Sequence, residues 1–280
     1  MADIRTPSTA RTVLICRVAF SALVGKAIVD RAQVAAAASF YMLAIGAMLG
    51  LLWPPLRTVF QAMPAGLTAM VVAISGGTDL STTTGWANAE LLSLLAPAAV
   101  IVVGVASAAA ASAGEEENKT LGLALSTPVS RGGFLVAKMI AMLALVGIVA
   151  GCVGLGLELG NVIGTLGFSA AGVVGVALHT FVFGVLFGAL AFLVGAASGS
   201  KRLATMVPTG VAVLAFAANT FLPLNAALAG GQKFSPWYYY LSADPLAHGA
   251  DGGQLALLAG VSVVLAVAAV LAFRARDLRG

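Results

Sequence analysis

GEEENKTLGLALSTPVSR, residues Gly114 to Arg131, is the most polar break between long apolar segments, and it carries a helical pattern of its own. Glu115, Glu116 and Glu117 open it, where acids oppose the positive end of a helix dipole. Leu121 and Leu125 then recur one turn apart on one face. Thr127 precedes Pro128 and is pushed out of the helical region, after which Ser130 is placed to cap the next helix. The pattern predicts a short docking helix. A solvated loop between two membrane spans accounts for the same polarity.

The surroundings of this stretch are apolar throughout. Of 280 residues, 60% are hydrophobic and 9% charged, whereas about a quarter of a soluble domain is charged. The chain therefore reads as an integral membrane protein. Cys16 and Cys152 lie far apart, which suggests neither a disulfide scaffold nor a cysteine metal site. The net charge is +4, but the basic residues are scattered around apolar segments rather than clustered with exposed aromatics. No nucleic-acid partner is expected.

Six spans are predicted, at about 34–53, 91–113, 134–157, 169–197, 203–222 and 255–273, each near the ~20 residues that cross a hydrocarbon core or longer. Pro54 and Pro55 are expected to stop the first, Pro97 lies in the second and Pro208 should kink the fifth. The third is expected to reach Glu158 and turn over residues 160–167. Before the first span, Val13, Leu14, Val18, Leu23, Val24 and Ile28 make a helical stripe over residues 1–32. It suits an amphipathic helix in the headgroup layer or a cytosolic helix packed on a partner. Charges spread through it argue against a cleaved leader.

Charge bias supports this count, because short cytoplasmic loops carry the excess of Lys and Arg. With both termini in the cytoplasm, the inner segments hold Arg5, Arg11, Arg17, Lys26, Arg31, Lys119, Arg131, Lys138, Lys201, Arg202, Arg274, Arg276 and Arg279. Only Arg57 and Lys233 fall outside.

A family resemblance rests on Asp79, Gly85, Trp86, Asn88, Glu90 and Pro97, then Glu115-Glu116-Glu117 with Thr120, Leu121, Leu125, Pro128, Val129, Ser130, Arg131 and Lys138. SPWYYYLSADPL before the last span and Phe273, Arg274, Arg276, Asp277 and Leu278 at the end continue it. From about Asp79 to Leu278 the chain resembles the permease subunits of type 2 ATP-binding-cassette transporters. Asn118-Lys119 departs from the family's usual glycine before the threonine.

The resemblance implies an all-α membrane protein, a single transmembrane domain over 1–280. It would have six transmembrane helices, an N-terminal interfacial helix, a cytoplasmic coupling helix at 114–131 and short external re-entrant helices before the last span. It implies ATPase-coupling roles for Glu115, Glu117, Thr120, Leu121, Leu125 and Arg131. It further implies two copies of a separate ATP-binding-cassette ATPase, a second permease subunit (identical or a related paralogue), and a place among the lipids of a bacterial cytoplasmic membrane. ATP and Mg would be bound by the ATPase, with no cofactor in this chain.

The residues themselves agree with that division of labour. No G-x-x-x-x-G-K-[ST] phosphate loop occurs in the chain, so ATP hydrolysis of that kind must lie elsewhere. A gradient-driven transporter or channel is the alternative, and it would need ionisable groups at membrane depth. His179, within the fourth span, is the candidate, either as a proton relay or as a histidine satisfied by a neighbouring helix or facing the translocation path; Glu90 and Glu158 sit near span ends. A membrane enzyme would need paired catalytic groups, and no Ser–His or Asp–Asp pair stands out in the spans. Gly147/Gly151, Gly156/Gly160, Gly184/Gly188 and Gly195/Gly199 have the four-residue spacing that allows membrane helices to approach closely. Trp237 and the tyrosines of SPWYYY read as interface anchors or as a substrate-binding aromatic patch, and Asp244-Pro245 as a turn initiator.

Overall fold

The computed structural model describes residues 9–64, 66–67, 79–114 and 129–276. The chain is all-α: α1 (Thr9–Gln61), α2 (Thr83–Gly114), α3 (Arg131–Gly164), α4 (Ala170–Ser198), α5 (Lys201–Phe221), the short α6 (Pro236–Leu241) and α7 (Pro245–His248), and α8 (Gly252–Ala275). Six of them, α1 to α5 and α8, are long and apolar enough to cross a membrane.

Local chemistry sets the starts of these helices. Ser130 caps α3 by accepting from the Gly133 amide at 3.1 Å, as its position before the helix predicts. Thr82 caps α2 from Gly85 N, Ser169 caps α4 from Gly172 N and Asp251 caps α8 from Gln254 N at 2.7 Å. Each side-chain oxygen satisfies one of the amides that a helix start leaves without a partner.

Two boundaries differ from the sequence expectation. α1 is one helix of 53 residues, about 80 Å at 1.5 Å per residue, so the N-terminal stripe and the first span are continuous. The alanine run Ala35–Ala38 favours helix where the two segments meet. Pro54 and Pro55 lie inside α1 rather than ending it. A proline removes bonds to the preceding turn only, and Thr58 Oγ1 resumes bonding by donating to Pro55 O at 2.8 Å. α3 likewise runs through Gly160 to Gly164. It ends at Thr165, which is left-handed, and Asn161 holds the turn by accepting from the amides of Gly167 and Phe168 at 2.9 and 3.0 Å.

α4 is central, packed on α2, α3, α5, α7 and α8, while α1 lies along α3. Glycines make the closest approaches. A Cβ on Gly46 would collide with the Gly156 backbone and one on Gly50 with Gly160; one on Gly164 would stand 2.5 Å from Gly50 O. The α1–α3 seam is therefore backbone against backbone. Gly104 of α2 faces Gly184 and Gly188 of α4 in the same way, and a Cβ on Gly184 would come within 2.7 Å of Val100 and Val146. Of the four sequence pairs, Gly156/Gly160 and Gly184/Gly188 are packing sites. Gly151 has nothing within 4 Å, and Gly199 is a left-handed cap of α4 beside Arg276 rather than part of a seam.

Because overpacking costs about 1–3 kcal/mol and more where backbone blocks relaxation, Gly160→Val should destabilise the purified protein by at least about 3 kcal/mol. Gly151→Ala should be neutral or gain about 0.5–1 kcal/mol from helix propensity. Thermal unfolding in detergent checks both, and equal stability of the two variants would contradict the seam.

Candidate functional site

Of the coupling residues, Glu115, Glu117, Thr120, Leu121 and Leu125 lie outside the described residues, and Arg131 lies within them. The structure places the two ends between which they run. Gly114, the last residue of α2, is buried, and a Cβ there would touch Lys201 Cδ at 3.4 Å. Val129 is half-buried and packs on the core, Ser130 caps α3, and Arg131 is the first residue of that helix and is exposed.

The same end of the bundle gathers cations. Gly132 makes room for the Arg274 guanidinium, since a Cβ there would lie 2.5 Å from Nε, and Gly199 makes room for the Arg276 guanidinium. Arg131, Lys201, Arg202, Arg274 and Arg276 thus stand together where α2 and α4 end and α3 and α5 begin. Among the described residues, the opposite end carries Asp79, Glu90, Glu158, Asp244 and Asp251 against Arg57 and Lys233. The charge asymmetry read from the sequence is therefore an asymmetry between two ends of one body.

The acidic end is closed by α6. A helix carbonyl normally accepts from the amide four residues on, but for Ser93 that position is Pro97, which has no N–H. Just before it α2 widens into a π-helical turn over Asn88–Leu92, and Leu94 departs from helical geometry. Trp237 fills the vacancy, its indole Nε1 donating to Ser93 O at 3.1 Å. The ring packs edge-on against Phe183 at 4.7 Å and against Phe216 at 5.5 Å. Ser235 Oγ donates to Ala215 O of α5 at 2.8 Å, and the Tyr240 hydroxyl lies 3.3 Å from Thr180 Oγ1 of α4. Gln254 of α8 donates to Ser242 Oγ at 2.8 Å. One short segment thereby ties together four spans.

This corrects the reading of SPWYYY. Trp237 and Tyr240 are 3% and 1% exposed, so these two are neither anchors nor a surface for substrate. Ser235 caps α6 and Pro236 starts it; this pairing was the available sign that the aromatics begin a helix. Asp244 does initiate a turn, left-handed at φ 46°, and accepts from Asn88 Nδ2 at 3.4 Å. Asp79 holds another turn, accepting from the Ser81 hydroxyl and amide at 2.6 and 3.0 Å. Those bonds lower the Asp79 carboxyl below its ordinary range. The turn's carboxylate bonds are therefore present at neutral pH and are lost as pH falls through that lowered value.

His179 is fully buried on α4. Its Nδ1 lies 2.9 Å from Gly175 O of its own helix, and Nε2 has no partner. The carbonyl that satisfies it comes from α4 itself rather than from a neighbouring helix.

Trp237→Phe should destabilise the protein by about 1–3 kcal/mol, the cost of a buried acceptor left without a donor. Pro97→Ala supplies a backbone N–H to Ser93 O, so the same Trp237 change should cost less in that background. A double-mutant cycle measured by thermal unfolding checks this; full additivity would contradict the assignment.

These two differently charged ends, joined by six spans, have a counterpart among known proteins. Residues 69–278 match the family described as ABC-2 family transporter protein. Among curated proteins none matches the chain. With three-quarters of its length matched, from before α2 to the end of α8, the chain belongs to the ABC-2 transporter family and is a membrane permease of that class.

Proposed function

We propose that the protein is the membrane-spanning subunit of an ATP-driven exporter, with the Arg131 end in the cytoplasm and a separate ATP-binding-cassette ATPase docked beneath it. The observation that carries this is the placement of Gly114 and Ser130. Both are fixed to the basic end of the bundle, so residues 115–129 join two packed spans at the face that the positive-inside rule assigns to the cytoplasm. A force on that connection reaches α2 and α3 directly, and through α2 reaches Trp237 and the segment that ties α4, α5 and α8.

In this reading Glu115 and Glu117 offer charge to a cleft in the ATPase, Thr120 lies along the contact, Leu121 and Leu125 supply apolar contact, and Arg131 is a second ionic point at the membrane surface. ATP and Mg are held by two ATPase copies, whose closure moves the coupling segment. A second permease subunit, a copy of this chain or a paralogue, completes the path. The unpartnered Nε2 of His179 is the one observation that favours a gradient-driven transporter instead.

Two outcomes are expected. Leu121→Asp/Leu125→Asp should weaken ATPase association by roughly 100-fold or more, at ~1.5–3 kcal/mol per buried leucine, with membrane insertion intact; undiminished association in pull-downs from membranes would reject the coupling residues. His179→Gln should leave ATP-driven transport in proteoliposomes within about two-fold, a hydrogen bond of ~0.5–1.5 kcal/mol being at stake rather than a proton path. Abolished transport that tracks an ion gradient would favour the alternative.

A further inference from the structure

α8 packs chiefly on α4 and meets α3 at the basic end, where the buried Phe134 and Phe273 rings stack at 6.3 Å. Further into the bundle α3 and α8 part over α4 and leave a cavity of about 300 Å³, the lower bound of the roughly 300–1,000 Å³ typical of small-molecule sites. Val136 and Ile140 of α3, Phe181 and Val185 of α4, and Val263 and Ala266 of α8 line it.

The lining fixes what this cavity can hold. Its one hydroxyl, on Ser262, already donates to Leu258 O at 2.7 Å, so no polar side chain on the wall is left for a polar ligand. Val136, Ile140 and Val263 are also exposed on the outside of the bundle. They belong to helices long and apolar enough to cross a membrane, so the cavity opens on lipid. A hydrocarbon chain is the ligand that this chemistry admits.

Cations stand at the basic end of the same cleft. Arg274 reaches from α8 to α3, its guanidinium lying over Gly132, next in sequence to Arg131, and both arginines are exposed. At ~1.5 Å per residue, Arg131 stands about 7.5 Å along α3 from Val136, and Arg274 about 12 Å along α8 from Ala266. Those spacings fit within half of a ~30 Å hydrocarbon core, so a chain seated in the cavity leads to a headgroup at the two guanidiniums.

We propose that the cleft between α3 and α8 binds an anionic phospholipid of the leaflet at the basic end, with one acyl chain in the cavity and the phosphate at Arg131 and Arg274. Guanidinium groups offer a phosphate paired, charge-assisted donors, while the apolar wall selects a chain over a soluble anion. Binding of this lipid needs no ATPase, so the site and the coupling reading fail separately.

The test uses the full chain, delipidated in detergent without any ATPase and titrated separately with phosphatidylglycerol, phosphatidylcholine and glycerol phosphate while thermal unfolding is followed. The expected result is a saturable rise in unfolding temperature with phosphatidylglycerol, at lower concentration than with phosphatidylcholine and absent with glycerol phosphate. Arg131→Gln/Arg274→Gln should weaken phosphatidylglycerol binding at least about ten-fold, at about five-fold per cation, and leave phosphatidylcholine binding as it was. Ala266→Phe, which fills the cavity, should weaken both lipids, whereas Ala256→Phe, exposed on α8 outside the cavity, should weaken neither. Equal binding of the two lipids, an equal rise with glycerol phosphate, or phosphatidylglycerol binding that survives either the double variant or Ala266→Phe would overturn the site.

Discussion

The backbone contact between α1 and α3 is the constraint on which the rest of the bundle depends. Between helices in lipid there is no hydrophobic driving force, because the acyl chains are as apolar as leucine, and association relies on close van der Waals packing. Gly46 and Gly50 set against Gly156, Gly160 and Gly164 bring two main chains together where any side chain would collide. The choice of glycine weakens each helix locally and is offset by contact along the whole seam. With α3 held on one side, α4 is pressed against α2 and α3 on the other, and Gly104, Gly184 and Gly188 repeat the device there.

The two ends of this body are built for different tasks. At the acidic end, a carbonyl freed by Pro97 and an indole from α6 meet, and one short helix fastens α2, α4 and α5. At the basic end, glycines make room for Arg274 and Arg276, a charged cavity opens beside Lys26 and Arg31, and the two spans flanking residues 115–129 begin and end. A bundle that is fastened at one end and charged at the other is what the family assignment places in the membrane.

Much of this was legible in the sequence. Six apolar segments and the charge bias predicted the spans, and Ser130 before the third announced its cap. The pairs Gly156/Gly160 and Gly184/Gly188 pointed to real seams. Gly46 and Gly50 carry the same four-residue spacing, and Gly151, with nothing within 4 Å of an added Cβ, shows why spacing alone is insufficient: only the partner helix determines whether a glycine is needed. Pro54 and Pro55 misled because proline disturbs one turn of a helix without ending it when Thr58 and the following turn continue the pattern. The burial of Trp237 was hidden because a Trp-Tyr-Tyr-Tyr run looks alike whether it faces the headgroups or the core. Its orientation follows from Pro97, 140 residues earlier, and no local pattern reports such a pairing. Residues 115–128, where the sequence pattern predicts a docking helix, lie outside the described residues.

The central claim is that this chain moves by energy supplied from another protein. The most direct measurement is ATP hydrolysis by the tagged chain purified from its native membrane in mild detergent, with the co-purifying proteins identified by mass spectrometry. The account predicts a stoichiometric phosphate-loop ATPase and ATP turnover that is lost when the two are separated. A chain that purifies alone, hydrolyses no ATP and transports in proteoliposomes under an ion gradient would contradict it.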